Sequence, residues 1–77
     1  MKYIIFEDFA GEPTPIIFPE RIEFIEMREL VPYTTVLSAG LMKIEGLKVK
    51  CFSQSKELGV SPLEHDPEII ADHLVIN

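Results

Sequence analysis

Seventy-seven residues are enough for one domain, but a chain of this size buries only about 60% of its unfolded surface, so its stability is marginal unless oligomerisation or another device adds to it. Thirteen acidic against seven basic residues give a formal charge of -6, which argues against direct binding to nucleic acid or an anionic membrane and suits a basic protein partner. The 47% apolar content excludes a disordered tail, and a single cysteine excludes an intrachain disulfide or a structural zinc site.

Met1 to Asp8 reads as a strand, because Tyr3, Ile4, Ile5 and Phe6 supply β-branched and aromatic residues to both faces. Apolar side chains on both sides imply a central position or a second covering layer. The run is short, Glu7 and Asp8 break it, and no stretch approaches the roughly 18 apolar residues of a membrane span. A soluble, cytoplasmic protein is therefore expected. Phe9 to Pro15 holds two prolines and a glycine and reads as a loop, followed by a very short strand over Ile16 to Phe18 that Pro19 ends.

Glu20 to Val31 supports two periods. Ile22, Phe24 and the intervening glutamates alternate, whereas Phe24, Met27 and Val31 fit a helix; the abundance of Glu, Met, Arg and Leu favours a helix near residues 22 to 31. Pro32 stops it, and Tyr33-Thr34-Thr35 leads into the middle of the chain.

Thr35 to Ser53 reads as a hairpin turning at Glu45-Gly46, with Gly46 supplying the positive φ that a two-residue loop needs. That turn pairs Ile44 with Leu47, Met42 with Val49, Gly40 with Cys51 and Ser38 with Ser53, all on one face. The other face carries Ala39 with Phe52, Leu41 with Lys50 and Lys43 with Lys48. Small residues at Ser38-Ala39-Gly40 allow a backbone or a bulky side chain to approach the sheet closely. Gln54 to His65 has loop composition, with Leu58, Val60 and Leu63 expected against the core. Asp66-Pro67-Glu68 is a helix start, an acceptor followed by proline and a first-turn carboxylate, and the helix runs to about Val75 with Ile69, Ile70, His73 and Leu74 near one stripe.

The elements thus run strand, strand, helix, strand, strand, helix. They imply an α+β domain with a four-stranded, mainly antiparallel sheet and both helices on one face. The uncovered face would then carry Ala39, Leu41 and Phe52 with Tyr3 and Ile5 of the first strand, too apolar for water, and homodimerisation across it is expected.

Candidate chemistries are few. His65, Asp66, Glu68, Asp72 and His73 cluster in sequence but lack the i, i+4 histidine pair of a metal-binding helix, and capping explains the same letters. Cys51 alternates inward, where a free thiol is a small hydrophobe, and activation as a nucleophile would need His65 or His73 beside it. Ser38, Ser53 and Ser55 have no visible base, and the four isolated glycines form no phosphate loop. Lys43, Lys48 and Lys50 with Phe52 are the rudiment of a single-strand nucleic-acid platform, but one aromatic residue in an acidic chain reads better as a solvated edge. No catalytic residue, metal or cofactor is implied. Glu20, Glu23, Glu26 and Glu29 recur at spacing three and would form an acidic ridge on a helix, which suits an inhibitor that mimics nucleic acid toward a basic protein.

In Ser38-Ala39-Gly40, in the run Cys51-Phe52-Ser53-Gln54-Ser55 with Leu58-Gly59 beyond it, and in the closing Asp66 to Leu74 helix, the chain resembles small uncharacterised proteins of bacteria and their phages. Those proteins share an opening strand rich in Ile and Phe, an IIFP-like second element and a serine-containing run after the last strand. The resemblance implies no activity for any residue. The reading that follows is a non-catalytic protein-protein interaction module, homodimeric through a sheet face or edge, with the acidic inhibitor as its alternative.

Overall fold

The computed structural model describes residues 1–56 and 58–74. Strand β1 (Lys2–Glu7) and strand β2 (Pro13–Phe18) are followed by helix α1 (Phe24–Leu30), strands β3 (Thr35–Glu45) and β4 (Lys48–Phe52), and helix α2 (Asp66–Leu74). The four strands form one antiparallel sheet in the order β2-β1-β3-β4, so the fold is mixed α+β.

Strand β1 lies second in the sheet, and Tyr3, Ile4, Ile5 and Phe6 are all buried although successive residues point to opposite sides. Each side has its own core. Tyr3, Ile5, Met42 and Val49 pack with Ile70 of α2; Ile4, Phe6, Phe18 and Ala39 pack with Phe24 of α1. The helices therefore lie on opposite faces, which corrects the expectation of both on one face. A single helical layer would have left half of β1 in water.

Strand β2 is longer than expected, since Pro13 and Pro15 belong to it opposite Glu7 and Ile5. Proline lacks a donor, but β2 is an edge strand and can point those positions away from a neighbour. The turn before it is held by Asp8, whose side chain accepts from the amides of Ala10 (2.9 Å) and Glu12 (2.8 Å). Helix α1 is shorter than expected. Glu23 is its N-cap, and the Glu26 carboxylate accepts from the Glu23 amide at 3.3 Å. Phe24 meets Phe18 edge-on at 5.7 Å, with Met27 and Val31 partly buried on the same side.

Strand β3 runs past the start of β1. Its first part pairs with β1, with a bulge at Leu37, and its Leu41–Glu45 end pairs with β4. The turn is Gly46-Leu47, not Glu45-Gly46, and Gly46 has φ +61° while Leu47 does not have positive φ. Positive φ at the first loop position alone is the type II′ pattern. The pairs are accordingly Glu45 with Lys48, Ile44 with Val49, Lys43 with Lys50, Met42 with Cys51 and Leu41 with Phe52. Every partner has moved by two residues, so each side chain keeps its expected face.

Strand β4 stops at Phe52, where Ser53 adopts φ +59° and carries the chain off the sheet. The loop then places Leu58 and Val60 against the α1-side core, while Pro62 reaches Gly40 on the α2 side. It wraps the edge of β3 that β4 leaves uncovered. Leu63 and Leu74 are exposed, contrary to expectation, and His73 of α2 is exposed as well. Val75, the expected end of that helix, lies outside the described residues. Gly40 permits the wrapping: a Cβ there would sit 2.5 Å from the Ser53 carbonyl oxygen and 2.9 Å from that of Phe52. Since backbone cannot yield as a side chain tip does, Gly40→Ala is expected to destabilise the fold by about 1–3 kcal/mol. That corresponds to a melting temperature lower by roughly 4–8 °C per kcal/mol; an unchanged melt would contradict the close packing.

Candidate functional site

Three buried side chains with polar groups, Tyr3, Ser38 and Asp66, converge under the start of α2, while the buried Ser55 hydroxyl accepts from the Leu58 amide at 3.2 Å within its own loop. Asp66 is buried, and its Oδ2 accepts from the Tyr3 hydroxyl at 2.6 Å and from the Leu63 amide at 2.9 Å, while Oδ1 accepts from the Ser38 hydroxyl at 2.9 Å. Residues 3, 38 and 66 belong to β1, β3 and α2, so one carboxyl ties the first helical turn to the two central strands. Among the described residues no buried side-chain polar atom lacks a partner. The acidic residue expected to cap α2 reaches across to the sheet as well as back to Leu63. The alternation of Tyr3 and Ser38 places both on the α2 face, but only the β1–β3 pairing brings them together, so the sequence alone held no signal of this hub.

Burial raises the Tyr3 phenol far above its ordinary range, and the hydrogen bond to Asp66 raises it further. Cys51 is half-buried beside them. Burial likewise pushes its thiol up, with the Tyr3 hydrogen bond opposing this and the Asp66 charge adding to it. A thiol held protonated is a poor nucleophile. His65 is exposed, 3.7 Å from Glu68, and His73 is exposed at the lip of a shallow groove of about 340 Å³ lined by Pro13, Pro15, Ile69 and Asp72. Among the described residues no three His, Cys, Asp or Glu side chains form a group that could hold a metal ion.

The residues expected to form one apolar interface do not share a face. Tyr3 and Ile5 are buried beneath α2, and Ala39 is buried on the α1 side. Their burial within the chain itself corrects that grouping, because α1 and the loop of Leu58 and Val60 already cover what the sequence left open. Leu41 and Phe52 remain. They end a row across the α1 face, Phe18, Lys2, Leu41, Phe52. Phe24 and the Lys2 ammonium, which donates to the Ile22 carbonyl at 2.8 Å and lies 4.9 Å from the Phe24 ring centroid, cover its first half. Its second half is open: Leu41 is half-buried and Phe52 is 42% exposed.

Beyond that row the hairpin projects past Met1 with Lys43 and Lys50 side by side. Glu45 bridges them, 2.7 Å from Lys43 and 3.0 Å from Lys50, and both ammonium groups hold its carboxyl below the usual carboxylate range. Lys43 also lies 5.8 Å from the Phe52 ring centroid. With Lys48, the open face carries three lysines against one glutamate in a chain of formal charge -6.

The expected acidic ridge is exposed but not one helical feature. Glu20 precedes α1 and takes the N-terminal ammonium at 3.2 Å, Glu23 is the cap, and only Glu26 and Glu29 lie within the helix. A second shallow groove, about 350 Å³, runs beside α1 between Ile25, Glu29 and Tyr33. Among the described residues no helix is long and apolar enough to cross a membrane. The chain matches no protein-family model, and no curated protein or solved structure shows significant similarity to it.

Because the unfolded values are 10.0 for Tyr3 and 9.0 for Cys51 and both rise on folding, their contribution to stability is whole below about pH 9 and is lost as pH climbs above it. In Tyr33→Phe, where Tyr3 is the sole tyrosine, tyrosinate absorbance should therefore emerge only together with loss of circular dichroism. A phenol that ionises in the ordinary range on an intact fold would show that Tyr3 is not sealed in.

Proposed function

We propose that this chain is a non-catalytic interaction module that self-associates through the open face of the β3–β4 hairpin. The observation that supports it is the uncovered half row of Leu41 and Phe52, with Leu47 at the hairpin tip 73% exposed. Apolar side chains gathered on a projecting arm lower their free energy by association, at about 25 cal/mol per Å² removed from water. The buried polar groups favour a structural role over catalysis. Tyr3, Ser38 and Asp66 are closed off from any substrate, and the Cys51 thiol is raised away from reactivity. A free, half-buried cysteine also fits a reducing, cytoplasmic setting.

A second reading rests on the exposed carboxylates of Glu23, Glu26 and Glu29 beside the negative overall charge: an acidic inhibitor that competes with nucleic acid for a basic protein. Its capture of that partner would collapse in moderate salt. The module reading is preferred because it also accounts for Leu41 and Phe52.

Sedimentation of the purified protein over a range of concentrations is expected to show a reversible monomer–dimer equilibrium. Phe52→Ser should weaken it roughly tenfold, the size of effect of a central interface aromatic. A strict monomer at the highest attainable concentration would remove the proposal.

A further inference from the structure

Resting on that self-association, we propose that helix α1 of a second copy is what covers the open hairpin face, in a two-fold arrangement in which each copy's α1 lies on the other's β3–β4 arm. The α1 face of the sheet is stepped. Helix α1 stands over Phe18 and Ile4 on the β2–β1 side, and the Leu41–Phe52 arm beyond it is bare. Two such steps placed face to face about a two-fold axis interlock, each raised helix entering the other's recess. A two-fold interface requires that one patch contain both complementary halves, and here the halves adjoin: Lys2 touches Phe24 and Ile22 on one side and pairs with Leu41 on the other.

The chemistry of the halves matches. The outward side of α1 presents Ile25 and Leu30, 46% and 75% exposed, together with the exposed Glu26 and Glu29. Positions 25 and 29, and 26 and 30, are one turn apart, so the four form a single strip. The arm presents Leu41 beside Phe52 and, one step further along both strands, Lys43 beside Lys50. Apolar groups thus meet apolar groups, and carboxylates meet the cationic patch of the arm. The charge argument also selects the occupant. Two copies of a chain with formal charge -6 repel at long range, so stable pairing requires that the cations of each face the carboxylates of the other. Arg28 is also exposed on α1, next to Glu29, and reduces the contrast without reversing it.

The test is charge exchange followed by mixing. In Glu26→Lys/Glu29→Lys, both helix–arm contacts of a homodimer set lysine against lysine. In Lys43→Glu/Lys50→Glu, both set glutamate against glutamate. Each variant alone should dimerise at least about tenfold more weakly than the unaltered chain at low salt. An equimolar mixture should recover dimer formation to within about threefold of the unaltered chain, because both contacts of the mixed dimer then pair opposite charges. Circular dichroism must show both variants folded; if a double change unfolds the chain, Glu29→Lys and Lys43→Glu carry the same comparison. Variants that dimerise as the unaltered chain does, or folded variants whose mixture stays monomeric, would overturn the helix-on-arm arrangement. The self-association reading would survive either of those results, whereas an unaltered chain that is monomeric throughout would overturn both.

Discussion

Four consecutive residues of β1, Tyr3 to Phe6, are each at most 1% exposed although they point alternately to the two sides of the sheet, and the remaining elements are arranged to make that so. Burying both faces of one strand requires a layer on each side, and among the described residues two short helices and the loop after β4 build them. Helix α1 and the Leu58–Val60 loop close one side, and α2 closes the other. Among the described residues none covers the far end of the β3–β4 hairpin on its α1 side, where Phe52, Lys43 and Lys50 are exposed. The open patch is thus a consequence of how the two layers are shared out.

Helix α2 is fixed less by its apolar surface than by the carboxyl at its start. Of its nine residues only Ile70 and Asp66 are buried, so one side chain supplies the fully buried apolar anchor and the other the polar one. Hydrogen bonds to a charged group contribute about 1.5–3 kcal/mol each. That is a large fraction of what holds a domain of this size together. The same bonds specify geometry: a slide of α2 along the sheet would part Asp66 from Tyr3 and Ser38 at once. Directional pairing therefore fixes where the helix sits, and apolar burial supplies most of the attraction. The cost is that Tyr3, Ser38 and Asp66 are consumed by structure, which leaves Cys51 as the remaining reactive group nearby, with its thiol raised.

What the sequence disclosed follows from which signals are local. The β1 strand, the start of α2 at Asp66 and the division of the hairpin's side chains between two faces rest on alternation or on capping chemistry within a few residues, and the structure has all three. The hairpin turn was displaced by one residue because Gly46 suits either position of a two-residue loop; since the pairing moved by two, the faces survived. Pro13 and Pro15 read as loop because proline excludes a central strand, and only the sheet order reveals that β2 is an edge. The second apolar face of β1, which the sequence leaves to a partner molecule, is covered within the chain. Ile4, Phe6 and Ala39 are covered by Phe24, Leu58 and Val60; a helix here and the packing of Leu58 and Val60 are legible in the sequence, but which side of the sheet they cover is set by long-range packing that no local pattern carries.

The lysines of the arm acquire a meaning in this setting that composition denied them. In sequence, Lys43, Lys48 and Lys50 are three cations diluted by an acidic chain, and a solvated edge is the natural reading. In space they share an open stretch of sheet, where Lys43 and Lys50 converge on Glu45 and Lys43 approaches the Phe52 ring. Strand β4 is an edge strand, and lysine on an edge discourages indiscriminate pairing of backbone to backbone. In the proposed dimer, an edge guarded by charge and a face that still offers Leu41 and Phe52 would direct association away from the ladder and toward side-chain contact with a carboxylate-bearing surface. The acidic residues near α1 and the basic residues of the arm then cease to be two unrelated features. They are the two signs of one surface, separated by the width of Lys2 and Leu41 on neighbouring strands.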